Sequence, residues 1–115
     1  MRLDHVQVAG PPGCEERARA FYGGLLGLPE VTKPEPLRAS GGTWFAIGSQ
    51  QLHVGVEDPF APATKAHPAL SVDEGELDRL AARLEAAGAP AVRDGDGVVT
   101  SDPANISVRM SASRA

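Results

Sequence analysis

Residues 51–72 read QLHVGVEDPFAPATKAHPALSV, two short alternating stretches on either side of a proline-rich crossing. In Gln51–Val56, Leu52, Val54 and Val56 fall on one face and Gln51, His53 and Gly55 on the other. In His67–Val72, Leu70 and Val72 oppose His67, Ala69 and Ser71. A period of two is the signature of a half-buried strand. Pro59 and Pro62 exclude a regular element from the crossing, because each removes a backbone donor. Pro68 places the second stretch at a sheet edge or a strand beginning.

Upstream, the run from Asp4 to Val8 alternates in the same way, with Val6 and Val8 opposed to His5 and Gln7. A helix is expected over about 14–26, with Glu15 and Glu16 in its first turn, where the macrodipole favours anions. Ala18, Phe21, Tyr22 and Leu25 form its apolar stripe. Gly23-Gly24 weakens its last turn, and Gly27-Leu28-Pro29 stops it. Leu37–Ala39 reads as the start of a short strand, Gly41-Gly42 as a hairpin turn and Thr43–Ile47 as a strand. Trp44 and Phe45 must face opposite ways, one to the core and one to the other side.

Downstream, Leu77, Leu80, Ala81, Leu84 and Ala87 trace a helical stripe that Gly88-Ala89-Pro90 ends. Strands follow near 91–93 and 98–101, joined by the turn Asp94-Gly95-Asp96-Gly97. A last strand, 105–111, sets Ile106, Val108 and Met110 against Ser107, Arg109 and Ser111. The order strand, helix, three strands therefore occurs twice. The helix ends LGLPEV and AGAPAV lie 61 residues apart, and His5 and His67 lie 62 apart. That joint register marks an internal duplication.

The bulk properties set the class. A chain of 115 residues is one domain by length. A net charge of −4 argues against nucleic acid as a partner, and no apolar run reaches the about 20 residues that span a bilayer. The single cysteine, Cys14, and the absence of an apolar leader in MRLDHVQVAG imply a cytoplasmic protein.

LDHVQV at residue 3, ARAFYGGLLGLPEV from Ala18, AHPALSV from Ala66 and SDPANISVRM from Ser101 occur in an order that resembles the vicinal oxygen chelate superfamily. Its members include glyoxalase I, bleomycin-resistance proteins, fosfomycin-modifying enzymes and extradiol dioxygenases. The resemblance implies an α+β fold of two βαβββ modules forming a cupped mixed sheet with helices on the outer face. One domain would span 1–115, with module one at about 1–57, the crossing at 58–66 and module two at about 67–113. It also implies a homodimer that binds a small molecule.

In that superfamily a divalent metal sits among inward side chains of the first and last strands of each module. By this resemblance His5, His53 and His67 are the candidate metal ligands, and Gln7, Trp44 and Arg109 the candidate substrate-binding residues. The family's usual glutamate, counted from Asp102-Pro103, falls on Arg109, or on Val108 with a one-residue gap. Neither side chain can ligate a metal. Two readings stay open. One is a three-histidine site for Zn, Fe, Mn or Ni serving a glyoxalase- or dioxygenase-type enzyme that acts on a substrate with vicinal oxygens. The other is a metal-free, bleomycin-resistance-type protein that sequesters its ligand in a polar cup.

Overall fold

The structure is a computed structural model and describes residues 1–112, so the expected end of module two at 113 lies outside the described residues. The chain divides at Pro62–Ala63 into two compact units, inside the segment read as the crossing.

The first unit runs β1 (His5–Gly10), α1 (Glu15–Ala18) continued by a π-helical segment (Arg19–Leu25), β2 (Glu30–Val31), α2 (Glu35–Arg38), β3 (Thr43–Ile47) and β4 (Gln50–Val56). The second runs β5 (Ala69–Val72), α3 (Glu74–Ala86), β6 (Val92–Asp94), β7 (Gly97–Ser101) and β8 (Ser107–Ala112). Each unit folds into its own four-stranded mixed sheet, in the orders β1-β4-β3-β2 and β5-β8-β7-β6. The opening strand pairs parallel with the last strand in both, and every other pairing is antiparallel. The duplication seen in the sequence is thus a duplication of topology, and the fold is α+β with two βαβββ modules.

One helix covers one face of each sheet. In the first unit Phe21 and Tyr22 are both buried, and Tyr22 packs against Phe45 of β3 with ring centroids 5.7 Å apart. The wider π-helical coil turns less per residue than an α-helix, so two neighbouring aromatics reach the same core. Its i−5 bond from Leu26 N to Phe21 O follows the Gly23-Gly24 pair, where the backbone is most permissive. In the second unit Leu77, Leu80, Ala81 and Leu84 of α3 are buried, as are Val98, Val108 and Met110 on the sheet. Arg93, in register with Val98 on the helix side, reaches Asp78 of α3 at 2.6 Å.

The structure corrects several expected boundaries. The expected strand at 37–39 is the helix α2, because Pro36 sits in its first turn, where a missing N–H costs nothing. The second strand of the module is instead β2, only two residues long and held by pairing with Phe45 and Trp44. Gly41-Gly42 is not a hairpin turn but the entry to β3. A Cβ at Gly42 would lie 2.2 Å from the Val54 carbonyl oxygen, so only glycine permits this approach. Gly97 repeats the device in the second module, where a Cβ would lie 2.6 Å from the Met110 oxygen. Strand β5 begins at Ala69 rather than His67. Strand β8 begins at Ser107, because Asp102 Oδ1 accepts the backbone N–H groups of Ala104 and Ile106 and bends the chain before it.

Candidate functional site

The face of each sheet opposite its helix carries the candidate residues other than His67, which lies in the loop before β5. Register places Gln7, His53, Trp44 and Val31 in one row across β1, β4, β3 and β2. The corresponding row of the second sheet is Ala69, Arg109, Val99 and Val92. His53 and Arg109 therefore occupy equivalent places, as do Trp44 and Val99.

In the first module the row is a stack of rings. His53 lies between His5, at a centroid distance of 4.1 Å and 16°, and Trp44, at 3.8 Å and 0°. Trp44 thus takes the open face, and Phe45, fully buried, takes the core. His53 is only 6 % exposed. Burial first, then the neighbouring His5, pushes its pKa below the ordinary 6.5, so its ring is neutral at pH 7. Its Nε2 hydrogen-bonds Gln51 Oε1 at 2.8 Å. With that oxygen accepting, the ring proton is on Nε2 and the lone pair on Nδ1. His5 donates from Nδ1 to Asp4 Oδ2 at 2.8 Å, since a carboxylate only accepts. Gln7 is exposed and lies across Gly55, where a Cβ would meet its Nε2 at 2.9 Å.

In the second module His67 is exposed and donates from Nδ1 to the Lys65 carbonyl at 2.9 Å. Arg109 donates from Nε to Ser111 Oγ at 3.1 Å and from Nη1 to Asp94 Oδ2 at 3.0 Å. Its Nη2 donates to the Asp94 carbonyl at 2.9 Å and to Asp96 Oδ1 at 3.1 Å. In the sequence Asp4 only opens the first alternating run, Gln51 only shares the face of His53, and Asp94 and Asp96 belong to a turn. All four hold a candidate residue. The register of the β6–β7 and β7–β8 hairpins was the signal that would have brought Asp94 beside Arg109.

The superfamily implies a metal, and the donor set can be tested against one. A bound ion lies about 2.0–2.1 Å from an imidazole nitrogen, close to that ring's plane. Because His5 and His53 are stacked nearly parallel, an ion in the plane of one ring stands off the other by almost the stacking distance. The two rings as placed do not chelate one ion. Arg109 occupies the row position of a ligand with a cation. Among the described residues, no group of three or more His, Cys, Asp and Glu side chains is placed to hold a metal ion. Within the first module His5 and His53 do not form a shared cradle. One feature runs the other way. His5 and His67 each give their Nδ1 proton to an oxygen and keep Nε2 for a lone pair, as metal-ligating histidines do.

Among the described residues no helix is long and apolar enough to cross a membrane. No family model and no curated protein matches the sequence. Solved structures do match. A protein from Bacillus anthracis, assigned to the glyoxalase family, is 41% identical over 99% of this chain and 96% of its own, with a TM-score of 0.90. A glyoxalase/dioxygenase from Nostoc punctiforme is 23% identical over 99% and 92%, with a TM-score of 0.80. A variant of the fosfomycin resistance protein FosX from Listeria monocytogenes, complexed with Mn(II) and 1S,2S-dihydroxypropylphosphonic acid, is 18% identical over 96% and 91%, with a TM-score of 0.74.

Proposed function

The chain belongs to the glyoxalase family of the vicinal oxygen chelate superfamily, and from that premise we propose that it binds a small organic molecule on the open face of its first module, without a resident metal. The observation that carries this is the position of His53, closed between His5 and Trp44 with its Nε2 bonded to Gln51. A ring committed to a stack and to an amide is a fixed support for the more exposed His5, Gln7 and Trp44 around it rather than a ligand awaiting an ion. Such a row presents an apolar, polarisable edge flanked by the amides of Gln7 and Gln51, which suits a planar molecule with hydrogen-bonding groups. The homodimer and the single duplicated domain implied by the family belong to the same proposal.

A second reading keeps metal-dependent chemistry of the glyoxalase or dioxygenase type on a substrate with vicinal oxygens. It is favoured by the Nε2 lone pairs of His5 and His67 and by the Mn(II) complex of FosX. It requires His53 to leave its stack, or the site to work with fewer protein donors.

Trp44 is the protein's one tryptophan, so intrinsic fluorescence reads the proposed face directly. Saturable quenching by a member of a planar-ligand panel, unchanged by a chelator and lost in His53→Ala, supports the first reading. Binding that disappears with the chelator and returns with Mn(II) or Zn(II) overturns it in favour of the second.

A further inference from the structure

The second module carries a device that the ligand reading above does not use. A guanidinium with exposed donors is a ready receptor for carboxylates, phosphates and phosphonates. Arg109 is not in that state. Its side chain is 22% exposed, and it already makes four hydrogen bonds inside its own module. The turn Gly95-Asp96, with Gly95 at φ 59°, returns the chain so that Asp94 and Asp96 both face the guanidinium. Gly97 makes room for it to lie against the strand. A Cβ there would stand 2.9 Å from Nη2 and 3.0 Å from Cζ.

We infer that Asp94 and Asp96 are specificity-determining residues that latch Arg109 and make this face refuse anionic ligands. Asp94 and Asp96 hold carboxylate oxygens against both Nη groups of the guanidinium, so an approaching phosphonate meets like charge where it would have to bind. It must also displace acceptors that the adjoining β6–β7 hairpin holds in place, whose effective concentration far exceeds that of a free ligand. An arginine that looks like an anion receptor in the sequence is thereby used up internally. The phosphonate held by the Mn(II) complex of FosX belongs to a class this arginine is not free to take. The latch lies wholly within the second module, so its failure and that of the ring-stack reading are separable.

The test is calorimetric titration of the full chain with methylphosphonate and with inorganic phosphate. The wild type is expected to show no saturable binding. The double variant Asp94→Asn with Asp96→Asn, which keeps the hydrogen-bonding shape but removes both charges, is expected to bind either anion saturably, at least about tenfold more tightly than the weakest binding the wild-type titration could have detected. Adding Arg109→Gln to that background is expected to abolish the gain. Asp96→Asn alone, which leaves both Asp94 contacts in place, serves as the milder variant and is expected to gain less. A latch that only braces the hairpin would lower the melting temperature of the variants without any gain in anion affinity, and that result overturns the inference. So does phosphonate binding by the wild type that is lost in Arg109→Gln.

Discussion

The two modules share strand order, pairing sense and register, yet their matching open-face rows carry opposite chemistry. In the first, Gln7, His53 and Trp44 make an uncharged row that continues to His5 as a stack of rings. In the second, Ala69 and Val99 flank an arginine tied to two aspartates. The backbone constraints are held in common: Gly42 and Gly97 stand at the same place, each beneath the carbonyl of a paired strand. The difference teaches that the duplicated scaffold conserves what lets strands approach, while each open face is free to specialise. One module carries a stack of rings and the other an arginine held by two aspartates.

The core gives the hardest test of that equivalence. Phe45 and Thr100 occupy matching positions, opposite Leu52 and Val108. Phe45→Ala empties the ring from the Tyr22 contact and is expected to cost about 3–5 kcal/mol in denaturant unfolding. A loss below about 1 kcal/mol would mean that the first module's core does not depend on this ring.

Gly97→Ala and Gly55→Ala come next. At Gly97 the new methyl meets a fixed backbone oxygen at 2.6 Å, so a loss of about 1–3 kcal/mol is expected. At Gly55 it meets only the end of the Gln7 side chain, which can swing away. Gly55→Ala should therefore melt close to the wild type. Equal losses at both sites would break the distinction.

The third test is pH. The folded state holds His53 below its ordinary value of 6.5, so the unfolded chain binds more protons once the pH falls past that value. Stability is expected to be full above about pH 7 and to decline as pH drops through 6.5 towards the lowered folded pKa. His53→Gln should flatten that part of the melting-temperature profile, whereas Arg109→Gln, at the equivalent position, should not. A decline of the same size in His53→Gln assigns it to other groups.

The smallest effect is a gain. Thr100 Oγ1 is buried without a hydrogen-bond partner among the described residues, where its module-one counterpart is apolar. Thr100→Val keeps the shape and removes the orphaned hydroxyl, so a rise of about 1 kcal/mol is expected.

Much of this was legible beforehand. Alternation gave β1, β4 and most of β8, Thr43–Ile47 also read as a strand, and the 61- and 62-residue spacings gave the repeat before any pairing was known. Strand β2 was not legible, because two residues carry no period and Glu30–Val31 is extended only through its pairing with β3. Helix α2 and the π-helical segment were hidden for a related reason. Proline and glycine announce that regular structure is interrupted, but not what replaces it. Among the site residues, the faces of His5, Gln7, His53 and Arg109 followed from period alone. What each side chain touches did not, because the partners of His53 and Arg109 are set by register across strands and hairpins.

The most direct measurement is metal uptake by protein purified without an affinity tag. Equilibrium dialysis against Zn(II), Mn(II), Fe(II) and Ni(II), followed by elemental analysis and a melting curve, is expected to find no stoichiometric metal and no rise in melting temperature. Near-stoichiometric metal that is lost in His5→Ala, His53→Ala or His67→Ala would contradict the account.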